Sequence, residues 1–466
     1  MNLRYCTLVL AFAAVLVGQD KSETVRFGCD LRVEFLTALA RAAGFPEFAQ
    51  KGDAAPYQRA VDAWLAPHRG HEALQRLVAM RREHGTSYDA LPSLALHLTP
   101  PPAFAELADF ETAPERLDAR WKLAPTRAFL AAVRSLWKEA DGEKFFASQK
   151  TVLDAAGRAL ATRLGQSNAP AWLQAYCGVS GKVACRAIPG LLCGSMNYGC
   201  GVRLANWEEL NPVLGCERFD EDGMPHFGEA AGPLFMHELA HSFANPLVDE
   251  HWTALRASAE GFFAESQSAM QAQAYSNPRI TMYETVVRLL VLRWLSESNV
   301  QGAARQLLDD TERGFSWLRE CVGALDAYER DRKTWPDLRA FMPRLAGVLS
   351  KEAERLAALS AAAPKLVRME PANGATDVDP ALEVLVLEFD RPMQAGSYSI
   401  VGSRQDAPGI TGAPEQSADG KSFRFPVRFA ANKPYSFSLN SPRFQGFRSS
   451  EGAPLKPIAV QFKTRG

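Results

Sequence analysis

An excess of charge of either sign is missing from this sequence: 52 lysines and arginines stand against 53 aspartates and glutamates, a net charge of −1 over 466 residues. That balance removes the electrostatic footprint of a nucleic-acid binder or of a protein held on an anionic membrane surface. Long apolar runs are missing too. Beyond the N-terminus no eighteen consecutive residues are apolar, so nothing there is expected to cross a bilayer as a helix. Histidine is scarce, 8 in all, and none of the 8 cysteines forms a Cys-x-x-Cys pair, which argues against a zinc ribbon. What is present, 47% apolar and 23% charged residues, is ordinary for a soluble protein of two or three domains.

Residues 1–18 read as an export signal. Arg4 supplies a positive start, Tyr5 to Val17 an apolar stretch of the right length, and Gly18 a small residue for cleavage. The expected location is therefore secreted, periplasmic or cell-surface. In such a space the cysteines at 29, 177, 185, 193, 200, 216 and 321 are expected to form disulfides, with at least one thiol left over.

Residues 20–165 carry apolar residues at helical spacing, over 31–43, 57–80, 125–140 and 144–164. His68 and His71 lie in a glycine-bearing loop without nearby carboxylates, which suits surface or packing roles. Residues 98–104, LTPPPAF, are too prolyl for anything but a loop. Over 170–227 glycine and cysteine become frequent, and the alternation from Tyr198 to Leu204 predicts a small sheet. A strand there can be an ordinary packed edge strand, or a cleft wall able to pair with an extended peptide. Helical texture returns at 251–274, 283–295, 301–328 and 335–361. From Pro364 the pattern is one of short alternating strands at 383–389, 423–429, 435–439 and 459–463, as in a β-sandwich, with no histidine or cysteine and hence no evident chemistry.

Two of the few histidines fall in His237-Glu238-Leu239-Ala240-His241. On a helix, residues four apart share a face, so both imidazoles can bind one zinc ion, and Glu238 beside them can act as general base. Phe235, Met236, Leu239, Ala240 and Phe243 fall on the opposite arc, fit for a core. Asn245-Pro246 predicts the end of that helix. A catalytic zinc takes a third protein ligand. Metzincins would place Gly at 244 and His at 247, where this chain has Ala244 and Leu247. Asp249, Glu250, Glu260 and Glu284 compete for the role. Glu284 is favoured because it sits in an almost wholly apolar helix, where an unligated carboxylate is costly, with Arg288 one turn on as an orienting neighbour.

The stretches HELAHSFANPLVDEHW (237–252) and QAYSNPRITMYETVVRLL (273–290) resemble an uncharacterised bacterial family of unknown function regarded as gluzincin-like metallopeptidases, over roughly residues 30–345. Its pattern places Ser-Phe and Asn-Pro after the histidine motif, here Ser242-Phe243 and Asn245-Pro246. A downstream Glu precedes a Val-Arg pair, here Glu284 before Val287-Arg288 with one extra residue between. The resemblance implies Zn2+ at His237, His241 and Glu284, and so favours Glu284 over Glu260. Residues 371–393, PANGATDVDPALEVLVLEFDRPM, resemble a bacterial Ig-like domain of the surface-layer type, implying a spacer or adhesion module with cell-surface contacts.

The expected fold class is accordingly α+β. A mainly helical zincin-like domain spans 19–363, with a small sheet beside the metal helix (228–244) and the third ligand on a helix at 281–296. An Ig-like β-sandwich follows over 364–466. The expected function is zinc-dependent hydrolysis of a peptide or protein substrate, with Glu238 as base and Tyr275, Tyr283 or Tyr198 stabilising the oxyanion. The alternatives are a catalytically inactive or non-peptidase surface protein that retains the zinc site, and a purely structural zinc site.

Overall fold

The computed structural model describes residues 25–49, 55–180, 183–204, 207–216 and 218–466; the expected export signal and Cys6 lie outside these residues. The chain is a mixed α and β protein that divides into two compact units, Met1–Ser242 and Phe243–Gly466.

In the first unit a short strand β1 (Arg26–Phe27) leads to helices α1 (Leu31–Ala42), α2 (Pro56–Leu65), α3 (Glu72–His84), α4 (Ala90–Leu96), α5 (Leu123–Glu139), α6 (Gly142–Ser148), α7 (Lys150–Leu164) and α8 (Ala169–Cys177). The single segment expected over 57–80 is two helices. His71 ends the gap between them by accepting the Ala73 N–H at 3.0 Å through Nδ1, so its role is that of a cap. Asp30 likewise caps α1, accepting the Arg32 N–H at 2.9 Å.

Strands β2 (Ala184–Gly190), β3 (Asn197–Leu204) and β4 (Trp207–Gly215) form, with β1, a sheet of order β1-β2-β4-β3. β1, β2 and β4 run parallel, and β3 pairs antiparallel with β4 along its length, Asn197 opposite Leu214 and Leu204 opposite Trp207. The β2–β4 ladder lapses between Leu210 and Val213, where Pro212 has no N–H to donate. A small hairpin, β5 (Arg218–Phe219) and β6 (Pro225–His226), follows. The expected disulfides are not found at Cys29, Cys185, Cys193, Cys200 or Cys321, which are free thiols. All but Cys29 are buried, and burial pushes these thiols well away from the thiolate form, so they pack as small apolar side chains.

A buried carboxylate joins α1 to the end of β2. Glu34 is fully buried; its Oε2 accepts the Tyr57 hydroxyl at 2.7 Å and its Oε1 the Leu191 N–H at 2.9 Å. Burial raises its pKa to about 7, with the two hydrogen bonds only partly offsetting it. The folded protein therefore holds a proton that the unfolded chain releases above the ordinary carboxyl range. Stability from this group is full below that range and falls as pH rises through 7, by about 3 kcal/mol in all. Glu34→Gln is expected to flatten the pH dependence of unfolding free energy between pH 5 and 8, measured by urea denaturation. An unchanged slope would remove Glu34 as its source.

Helix α9 (Ala231–Glu250) carries the histidine motif. It was expected to stop at Asn245-Pro246, yet Pro246 lies inside it. The pre-proline bias is local, whereas one further turn buries Leu247 and Val248. After it come α10 (Trp252–Ala272), α11 (Pro278–Ser298), α12 (Val300–Glu312), α13 (Leu318–Val322), α14 (Leu325–Arg330) and α15 (Leu338–Ala361). α11 is buried nearly all round, from Thr281 to Leu295, as its apolar sequence requires.

The last hundred residues fold into two sheets. One has the order β10 (Gly409–Ile410), β12 (Ser422–Arg428), β8 (Val384–Phe389) and β7 (Leu366–Glu370), with β11 (Glu415–Gln416) also on β12. The other runs β14 (Ile458–Lys463), β13 (Pro434–Leu439), β9 (Ile400–Val401). Alternation sets the core: Phe423, Phe425 and Val427 of β12 face Tyr435, Phe437 and Leu439 of β13, while Arg424 and Arg428 face water. Asn440, in the left-handed region at φ 59°, is wholly buried and donates to the carbonyls of Phe447 and Leu455 at 2.8 and 2.9 Å, pinning the loop between them.

Candidate metal centre

On α9 the apolar arc is buried as its spacing predicts: Phe235, Met236, Leu239 and Ala240 are fully shielded, while His237 and His241 are half-buried. The two imidazoles sit one turn apart, edge to face, with ring centroids 4.9 Å apart. Glu238 between them is 8% exposed.

Strand β3 lies directly against this turn. A Cβ added at Gly199 would come 2.5 Å from the Glu238 carbonyl oxygen and 3.3 Å from the His241 Cβ. Glycine at 199 is therefore what lets the strand approach the metal helix. By strand alternation Tyr198 and Cys200 project to the opposite face, where Cys200 Sγ lies 4.0 Å from the Asp89 carbonyl oxygen. Tyr198 is buried on that side with no partner for its hydroxyl among the described residues, which withdraws it as an oxyanion donor.

Ligand atoms of His237, His241 and Glu284 all lie within 4.8 Å of one another. Glu284 is 5% exposed, on the second turn of α11. Its rivals are engaged elsewhere. Glu260 is 61% exposed and lies 3.9 Å from Arg256 on the surface of α10. Glu250 lies 3.3 Å from Arg339, and Asp249 is 2.9 Å from Arg279. Asp249 also accepts the Tyr283 hydroxyl, and Arg279 lies over the Trp252 ring at 4.5 Å. Tyr283, expected near the reacting groups, thus spends its hydroxyl tying the start of α11 to the end of α9, and burial and this bond raise its pKa to about 12.

Tyr275 is placed differently. Its hydroxyl accepts from Arg288 Nη2 at 3.3 Å. Burial and the Glu284 charge raise its pKa, so it stays a protonated donor at neutral pH. Arg288 also donates to Glu284, as expected for an orienting neighbour, and to Asp310. Burial works against its charge, but these carboxylates raise its pKa and keep it cationic.

Two imidazoles and one carboxylate are the donor set of a three-ligand divalent-metal site with a position left for water. Glu238 and Glu284 are both nearly shielded from solvent, and Glu284 has Arg288 as a cationic partner. His237, Glu238 and His241 stand out in the sequence by spacing, and Glu284 by its charge in an apolar helix together with the family resemblance; Gly199 and the Asp249 clamp carry no such signal.

Residues 117–348 match the profile of a family described as a domain of unknown function (DUF4932). The match starts well after residue 30, where the resemblance was expected to begin. No curated protein matches. Among solved structures the chain aligns with a crystal structure of the S-layer protein rSbsC(31-844) at 13% identity, and with domains 1–6 of the surface layer protein SbsC at 12%. Each alignment covers 84% of this chain and 45% of the other, so the chain spans less than half the length of those proteins. The TM-score is 0.17 in both cases, too low to bear on the fold.

Proposed function

We propose that this chain is an exported zinc-dependent peptidase of gluzincin type, with zinc held by His237, His241 and Glu284 and with Glu238 as general base. The convergence of the three ligand atoms within 4.8 Å, with Glu238 on the same helical turn as the histidines, carries the reading. Zinc, when bound, supplies Lewis acidity for a carbonyl and makes water acidic near neutral pH. Glu238 takes the proton of the attacking water and delivers it to the departing amine nitrogen. Tyr275, held protonated beside Glu284 and Arg288, is the donor for the oxyanion. Strand β3 ends its sheet and touches the Glu238 turn, so an extended peptide paired along it would pass the histidine face; this supports a peptide over another acyl substrate.

Purified full-length protein is expected to carry about one zinc per chain, to lose it to a strong chelator, and to melt at a lower temperature afterwards. A chain that takes up no zinc when zinc is supplied would sink the reading. Glu284→Ala is expected to lower zinc affinity by at least about 100-fold, whereas Glu260→Ala leaves it unchanged. The reverse ranking would transfer the third ligand to Glu260. The activity assay is cleavage of a proteome-derived peptide library.

A further inference from the structure

The first unit holds a cavity of about 880 Å³, and none of its lining residues belongs to the metal centre. One wall is a face of α7. Lys150, Leu153, Asp154, Gly157, Arg158 and Ala161 recur there at helical spacing, a stripe of about 16 Å. A Cβ at Gly157 would lie 3.1 Å from the Gly28 Cα, so glycine lets the helix meet the link between β1 and α1. The aromatic part of the lining is rigid. The Trp137 and Phe146 rings are stacked with centroids 5.5 Å apart, and the fully buried Phe35 meets Trp137 edge-on at 5.0 Å.

Two hydrogen-bond donors in this lining are unused. Asp154 lies one turn from both Lys150 and Arg158, and it takes Lys150, whose Nζ donates to Oδ2 at 2.6 Å. The Arg158 guanidinium is left without an ion pair or hydrogen bond among the described residues. The Trp137 indole N–H likewise donates to no described residue, although the side chain is only 5% exposed. By contrast, the indoles of Trp64 and Trp121 donate to the Ala140 and Ala90 carbonyls at 2.6 and 2.7 Å. The Trp137 N–H is not sealed in the core, so the little of this side chain that is open faces the cavity it lines. The remaining charge there, Glu143, stands in the first turn of α6, where the helix end stabilises a carboxylate.

We propose that this cavity binds short apolar peptides through a free C-terminus. The carboxylate pairs with Arg158, a peptide carbonyl accepts the Trp137 N–H, and apolar side chains lie against Phe27, Phe146 and Leu153. The volume falls within the range of about 300–1,000 Å³ usual for small-ligand sites, and so does the character of the lining, apolar with a few polar groups. A free cation and a free donor call for an anion that carries a further acceptor. A fatty acid would satisfy Arg158 and leave the indole N–H unmet; a peptide satisfies both. Nothing in the inference depends on the metal.

The test titrates full-length protein with N-acetyl-trileucine by calorimetry. Binding of the free acid is expected, and binding of its C-terminal amide at least about tenfold weaker. Arg158→Gln is expected to bring the acid down to the affinity of the amide. Trp137→Phe keeps a ring and removes the N–H; it is expected to weaken peptide binding severalfold and to leave binding of dodecanoate, which has no amide, unchanged. Ala161→Trp fills the cavity and is expected to abolish peptide binding. Should that variant not fold, Ala147→Trp, at an exposed position of the lining, is expected to do the same. Wild-type protein that fails to bind the acid at millimolar concentration, or binds acid and amide alike, overturns the inference. Dodecanoate bound by the wild type as tightly as the peptide overturns the assignment to peptides. No zinc enters these titrations, so their outcome stands apart from the metal reading.

Discussion

Glu238→Gln is expected to leave zinc bound at about one per chain and to lower peptide turnover by about 10²- to 10⁴-fold, the usual contribution of a positioned general base. The amide keeps the size and hydrogen-bonding shape of the carboxylate but cannot accept a proton from water. Because Glu238 is not among the three convergent ligand atoms, metal content and binding are separable from the proton transfer. The loss should appear in kcat, with KM nearly unchanged, since the role is exercised in the transition state. Measuring zinc content and steady-state kinetics on the same preparation decides it. Full turnover in Glu238→Gln would remove the base from the mechanism, and loss of zinc together with turnover would recast Glu238 as a ligand.

The second large effect lies on the neighbouring strand. Gly199→Ala puts a methyl group 2.5 Å from the Glu238 carbonyl oxygen, inside any real contact distance. The obstacle is helix backbone, so no side chain can swing aside; either β3 or the metal-bearing turn of α9 must move. A cost of about 1–3 kcal/mol in unfolding free energy is expected, as for overpacking in a core, together with a clear drop in zinc affinity as the histidines shift. Gly201→Ala is the control. There the nearest atom, at 3.0 Å, is Cδ of the flexible Arg116 side chain, which can yield. If denaturant unfolding and zinc titration rank the two variants alike, β3 does not set the position of α9.

Both predictions concern residues of unequal legibility. Glu238 stands out in the sequence because His237 and His241 are rare residues at a spacing that means one helical face. Glu284 is legible because a charge in an apolar helix must have a reason. Gly199 carries no such mark: its meaning is a distance to a residue 39 positions later, which no local pattern encodes. The long helices and the alternating strands of the sandwich are read correctly because their periods extend over many residues. Errors fall where a few residues decide. Pro246 does not end α9 since the next turn buries Leu247 and Val248. The 57–80 segment breaks at His68–His71, where His71 caps the following helix. The cysteines suggest bridges by their number, but pairing depends on three-dimensional separation. Tyr198, Tyr275 and Tyr283 are not ranked by the sequence, and the structure distinguishes them by their neighbours: no hydroxyl partner for Tyr198 among the described residues, Arg288 at Tyr275 and Asp249 at Tyr283.

The sandwich closes its core with side chains drawn only from its own stretch, Met369 to Phe462, and the partly shielded residues packed on it, Leu366 to Ile458, come from there as well. Aromatic contacts such as Phe425 with Phe447 and Tyr435 with Phe462 lie within that core. The two sheets share one apolar layer, so a truncation such as Phe425→Ala opens a cavity that both of them line.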